Sequence, residues 1–150
     1  MASGKLSAAD YRLLAQFRYQ ISLFLHFSEQ AARAEGLNPA EHRLLLALKG
    51  LPEEVEPNIG ELAARLHIRH HSTVELAERL VRKGSVRKRR GREDRRHVFL
   101  EITARGETIL RKLSISHRAQ IESVGADLIY ALKKLIRPIA KPHAKHRSNK

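Results

Sequence analysis

The sequence predicts a mainly α-helical chain that carries one small β-hairpin. Apolar residues recur at helical spacing over most of its length, capping signatures open these runs at Ser7, Asn38, Asn58 and Thr103, and the period changes to two only after Gly84. Composition points the same way. The 150 residues suffice for one compact domain; 42% are hydrophobic, only 5% aromatic, and Leu, Ala, Glu and Arg favour helix over strand.

The first helix is expected from Ser7 to about Ala34, with Asp10 completing a capping box. Leu14, Phe17, Ile21, Phe24, Leu25 and Ser28 line one stripe and Ala15, Tyr19, Leu23 and Phe27 a second. A helix apolar on two sides needs cover on two sides, and a second copy of the chain is the economical source. Gly36 ends this helix. Asn38, Pro39 and Glu41 restart another, to about Lys49, as cap, first helical residue and capping-box partner. Residues 50–57, with two Pro and three Glu, read as an acidic loop. Asn58 and Glu61 form a further capping box before a helix whose Leu62, Ala63 and Leu66 face inward.

The next helix is expected from near His70 to Lys83, stopped by Gly84, with Thr73, Leu76, Ala77 and Leu80 as its apolar stripe. Only about three residues, from His67 to Arg69, separate it from the helix before, which is the spacing of a helix-turn-helix. Val98, Leu100 and Ile102 then alternate with His97, Phe99 and Glu101 as a half-buried strand, Val86 to Arg89 supply its partner, and Gly91 is placed at the hairpin tip. Thr103 caps a helix to about Val124, Gly125 separates it from a last one carrying Leu128, Leu132, Leu135 and Ile136, and Pro138 ends that. The tail from Lys141 to Lys150 reads as disordered.

Charge narrows the function. Lys and Arg number 29 against 16 acids, a net +13, and nine of these bases stand against two acids between Arg82 and Arg96. Such a hairpin cannot be packed into protein without desolvating its charges, so it projects into water or onto an anion. An isolated charge run is usually just a solvated face. Here it follows directly on a helix-turn-helix, the arrangement in which a wing lies along the phosphate backbone or drops an Arg into the minor groove, and double-stranded DNA becomes the expected partner. No run is apolar enough for a membrane span and no secretory signal opens the chain, so a cytoplasmic protein without membrane contact is expected. The absence of Cys removes disulfides, thiolate metal sites and thiol sensing.

At this point the sequence resembles the MarR family of bacterial regulators over about residues 10 to 137. The resemblance rests on Arg92, Glu93, Asp94, Arg95 and Arg96 followed by Val98, Leu100, Ile102, Thr103 and Gly106, which is similar to that family's wing motif DxR and the LTxxG after it. Leu62 to Leu66 and Arg79 to Gly84 fit the flanks of its recognition helix. The resemblance implies a winged helix-turn-helix homodimer in which Asp94 braces the wing, Arg96 enters the minor groove and the first turns of the helix from His70 read the major groove. It also implies dimerisation through the first and the last two helices, a pseudo-palindromic operator, repression released by a small molecule, and an effector pocket, often for phenolic or other aromatic acids, near Phe24, His26, Phe27 and His42. Each of those four also reads as ordinary core or surface.

One departure from the family pattern is that Ile68, Arg69, His70 and His71 stand where many relatives have a Ser or Asp cap. The first helical N–H groups then stay open to a phosphate, with Arg69, His70 and His71 beside them. Ser72, Val74 and Glu75 are the next candidates, for hydrogen bonding, thymine-methyl contact and cytosine contact, although Glu75 also stands four residues from Arg79. Lys88, Arg90, Arg92, Arg95 and Arg96 are the candidate DNA contacts of the hairpin. The expected division is a single domain over 1–140, with a DNA-binding core at about 38–103 and dimerisation helices at about 7–34 and 104–137.

Other readings have less behind them. His67, His71 and Glu75 are spaced by four, but the turn breaks their common face, so no metal site and no cofactor are expected. No catalytic motif is present, which argues against an enzyme. A non-specific nucleic-acid-binding or architectural protein is the alternative, because it too would be cationic and would need no palindrome.

Overall fold

The computed structural model describes residues 6–136. Five helices and one hairpin follow in the order α1 (Ala8–Ala34), α2 (Pro39–Lys49), α3 (Ile59–Leu66), α4 (His70–Arg82), β1 (Val86–Arg90), β2 (Val98–Ile102) and α5 (Ala104–Leu135). This is a mainly helical winged helix-turn-helix fold, as the period change after Gly84 predicts. The expectations for Pro138 and for the tail from Lys141 lie outside the described residues. Among the described residues no helix is long and apolar enough to cross a membrane.

The caps explain where the helices begin. Reciprocal capping boxes at Ser7/Asp10 and Asn38/Glu41 open α1 and α2. At α3 only half of the expected box forms: Asn58 Oδ1 accepts from the Glu61 N–H at 2.9 Å. The backbone N–H of Asn58 donates instead to the Glu56 carbonyl, and the Glu61 carboxylate turns to Arg65 at 2.7 Å. Thr103 caps α5 by accepting from the Gly106 N–H.

The core gathers where α2, α3, α4 and the hairpin meet. Leu44, Leu45, Leu62, Leu80 and Leu100 are almost wholly buried there, with Leu110 and Leu113 of α5 against them. The stripes expected on α3 (Leu62, Ala63, Leu66) and α4 (Thr73, Leu76, Ala77, Leu80) are the buried residues of those helices. Close packing fixes the join of hairpin to α5: a Cβ on Gly106 would lie 2.1 Å from the Ser85 carbonyl oxygen, so only glycine admits the first turn of α5 here.

Three further expectations are corrected. The break at Gly125 does not occur, and α5 runs unbroken for 32 residues. A single interior glycine costs a helix only about 1 kcal/mol, which flanking helix formers and packing on α1 offset, with Gln20 Nε2 reaching Asp127 at 3.4 Å. The hairpin does not alternate cleanly, because Phe99 is buried along with Leu100. Its position bridges to Asn58, and its ring packs beneath Gly91, the edge of His97 and the Arg89 guanidinium 5.3 Å from its centroid. Gly91 is buried at the base of the wing loop rather than at its tip, since its N–H donates to the His97 carbonyl and a Cβ there would meet the Asp94 carbonyl oxygen at 2.6 Å.

Candidate nucleic-acid interface

α3 and α4 are joined by a tight turn in which His67 takes the left-handed conformation (φ 54°) as the C-cap of α3. Ile68 N–H donates back to Ala63 O, and α4 starts at His70. No side chain caps α4: Arg69 is the N-cap residue and makes no capping hydrogen bond. The candidate reading residues divide by face. Arg69, His70, His71 and Glu75 are exposed, Ser72 and Val74 are half-buried, and Thr73 turns into the core, its hydroxyl donating to Arg69 O at 3.1 Å. Glu75 lies 4.0 Å from Arg79, at the outer limit of an ion pair.

The wing holds its cations in two ways. Arg87 and Arg89 both reach Glu101 across the strand pair, at 2.8 and 2.6 Å, and Lys88 pairs with Glu78 of α4. These hydrogen bonds hold the Glu101 and Glu78 carboxyls below their usual range, Arg87 acting first on Glu101 and Lys88 on Glu78. Lys88 thus ties the wing to α4. Arg90, Arg92 and Arg95 are exposed and form no ion pair among the described residues.

At the tip, Asp94 holds Arg96 from three directions. Its Oδ1 accepts from the Arg96 backbone N–H at 2.9 Å and from Nε at 3.1 Å, and Oδ2 accepts from Nη2 at 3.0 Å. The Arg96 side chain is nevertheless 90% exposed. A guanidinium fixed on one edge and bare on the other is prepared to meet an anion without losing much further rotamer entropy. The Asp94 carboxyl is held below the usual carboxylate range by Arg96, chiefly through the side-chain hydrogen bond. Arg96 and His70 line one cleft of about 390 Å³ between the wing and α4, which places the first turn of α4 and the wing tip side by side.

Three of the four effector candidates converge, and one does not. Phe24 and Phe27 each set a ring edge on His117, with centroids 5.8 Å away, and His42 stacks on His117 at 4.9 Å. His26 is exposed elsewhere on α1, beside a groove shared with Arg18 and Glu29. Burial, and secondarily His117, lower the pKa of His42 to about 4. His117 escapes a reading by motif, although its spacing from Leu110 and Leu113 places it on the buried stripe of α5. Also unread was the second task of Glu41. This carboxylate, only 1% exposed, caps α2 and accepts from Lys83 Nζ, at the end of α4, at 2.6 Å. Among the described residues no group of His, Asp and Glu is clustered to hold a metal ion.

A helix-turn-helix with a basic, braced wing defines a DNA-binding class of protein. Residues 35–97 match the model of the MarR family. The fold is shared with AbsC, a MarR family transcriptional regulator from Streptomyces coelicolor (22% identity, 92% of this chain and 96% of that one, TM-score 0.68). It is also similar to the transcriptional regulator MosR of M. tuberculosis in complex with DNA (24%, 75% and 77%, 0.54) and to CouR from Rhodococcus jostii bound to p-coumaroyl-CoA (18%, 80% and 89%, 0.58). No curated protein sequence matches the chain significantly. The family match thus covers the helix-turn-helix and most of the wing, and the solved structures extend the shared fold to the long helices.

Proposed function

We propose that this protein is a cytoplasmic, homodimeric repressor that binds a pseudo-palindromic operator and is released by a small molecule. The observation that carries the DNA half of this reading is the Asp94-braced, outward-facing Arg96 beside the uncapped start of α4. In the proposed complex the free N–H groups of the first turn of α4 face a phosphate, with Arg69, His70 and His71 around it. Ser72, Val74 and Glu75 look into the major groove and Arg96 into the minor groove. Arg90, Arg92 and Arg95 give unspecific grip, whereas Lys88 acts by fixing the wing on Glu78. Residues 38–103 form the DNA-binding core. α1 and α5 are the dimerisation helices, which set two such heads about one helical turn apart.

The dimer half rests on exposed apolar side chains along both long helices, Tyr19, Leu23 and Leu25 on α1 and Ile121, Ile129 and Tyr130 on α5. The effector half is supported by the aromatic cluster that Phe24, Phe27 and His42 form around His117 where α1, α2 and α5 meet, and by the ligand-bound state of CouR, whose ligand carries a phenolic acyl group. His26 falls outside that lining and is dropped from the effector set.

Titrating wild type and Arg96→Ala against an operator duplex at several salt concentrations tests the wing. The variant is expected to bind more weakly on every sequence, with the slope of log K against log salt reduced by about one charge. Replacing His71 or Ser72 is expected to change which sequence is preferred. An unchanged affinity and slope in Arg96→Ala would remove the wing from the interface.

A further inference from the structure

Three consecutive residues of α2 reach three different helices. Glu41 accepts from Lys83 Nζ at the end of α4, Arg43 Nη2 donates to the Leu66 carbonyl at the end of α3 at 3.0 Å, and His42 between them lies flat on His117 of α5. Successive positions on a helix point about 100° apart, so one turn of α2 serves as a yoke between the reading head and the long helices. We propose that the stack of His42 on His117 is a proton-sensitive joint between the dimerisation helices and the reading head, with Glu41 and Arg43 carrying its position to α4 and α3.

The two rings are not equivalent. His117 Nδ1 donates to the Leu113 carbonyl at 2.5 Å and its Nε2 lies 2.6 Å from the Ser28 hydroxyl, so oxygen partners stand at both nitrogens. His42 is 5% exposed; its ring makes no hydrogen bond among the described residues and stacks on His117. A charge on His42 therefore has neither water nor an acceptor to stabilise it. No carboxylate offsets it. α1 sends Phe24, Phe27 and Ser28 to His117, none of them an acid, and His117 of α5 is the ionisable group that acts on His42. On α2 itself Glu41 is taken by Lys83 of α4 and Arg43 by Leu66 of α3. Further off, Glu61 pairs with Arg65 on α3, and Glu101 of β2 pairs with Arg87 and Arg89.

A proton prefers the ring in water, where its pKa is 6.5, over the stacked ring, where it is about 4. Acidification from about pH 7.5 to about 5.5 then shifts the balance between stacked and separated rings by about tenfold per chain toward separation. The sign is distinctive. Protonation of His42 loosens DNA binding by unseating α2, although it adds positive charge to the protein.

This inference rests on the DNA-binding reading above, and its test separates the two. Operator affinity is measured at fixed ionic strength at both pH values for wild type and His42→Phe, which keeps a flat ring on His117 and cannot take a proton. Wild type is expected to lose affinity relative to the variant's own change, by up to about tenfold, the full ratio by which the stack is shifted. Equal pH profiles would overturn the joint, whereas failure of both proteins to bind duplex DNA at the higher pH would overturn the DNA-binding reading instead. If that happens, or if the variant does not fold, the histidine ring protons of the wild-type protein are followed by NMR. His42 is expected to titrate well below the 6.5 of a free ring, with the Leu66 and Lys83 amides moving along its titration. Titration near 6.5, or still amides at α3 and α4, would overturn the joint.

Discussion

The head and the long helices are built on opposite terms. In the head, short helices and the hairpin close on Leu44, Leu45, Leu62, Leu80 and Leu100, and their ends are tied by side chains such as Arg43, Lys83 and Thr103. Of the 27 residues of α1 only Asp10, Gln20 and Ala32 are buried, and Tyr11, Leu14, Tyr19, Leu23 and Leu25 are exposed. α5 is similar beyond its first three turns, where Ile121, Ile129, Tyr130 and Leu132 are exposed. A head that completes its own core can serve as a rigid unit; helices that leave apolar faces bare call for cover, and in the proposed dimer that requirement would make two heads act together.

This contrast can be broken at either end. The largest effect is expected from charging the bare faces: Leu23→Asp with Ile129→Asp should turn a dimer of twice 17.1 kDa into a monomer by light scattering, with the helical circular dichroism of the head retained. A particle of unchanged mass would place the dimer contact elsewhere. Next is Gly106→Ala, which strikes the head where a Cβ meets the Ser85 carbonyl at 2.1 Å. A loss of about 3 kcal/mol in urea unfolding is expected, because the atom in the way is backbone and cannot swing aside.

The smallest effect has the opposite sign. Gly125 lies within α5 with no atom within 4 Å of a built Cβ, so Gly125→Ala should stabilise by about 1 kcal/mol, read in the same unfolding experiment. Destabilisation there would mean that the dimer packs another chain closely against this glycine.

Much of the architecture was legible because it follows from local chemistry. Ser7 with Asp10 and Asn38 with Glu41 announce helix starts through hydrogen bonds made within four residues, and the α4 stripe follows from helical geometry alone. What was not legible depends on distant partners. Nothing local says that Glu41, already spent as a cap, also receives Lys83 from 42 residues away, or that Phe99 is covered by the Asn58 segment and Arg89. His117 was hidden for the same reason, since its significance lies in rings contributed by α1 and α2. Gly125 misled because a glycine weakens a helix without ending it when tertiary packing continues across it. For the reading face, the sequence spacing located the exposed turn of α4, whereas the split of wing cations between Glu78, Glu101 and open solvent required the fold.

The central claim is that a dimer of these heads distinguishes one DNA sequence from others. Duplexes selected by the protein from a random pool, then competed against unselected duplex at physiological salt, test it most directly. A regulator should prefer the selected sequence by at least about a thousandfold, with two half-sites about one helical turn apart. Equal affinity for both duplexes would contradict the account and leave an architectural, sequence-blind DNA binder in its place.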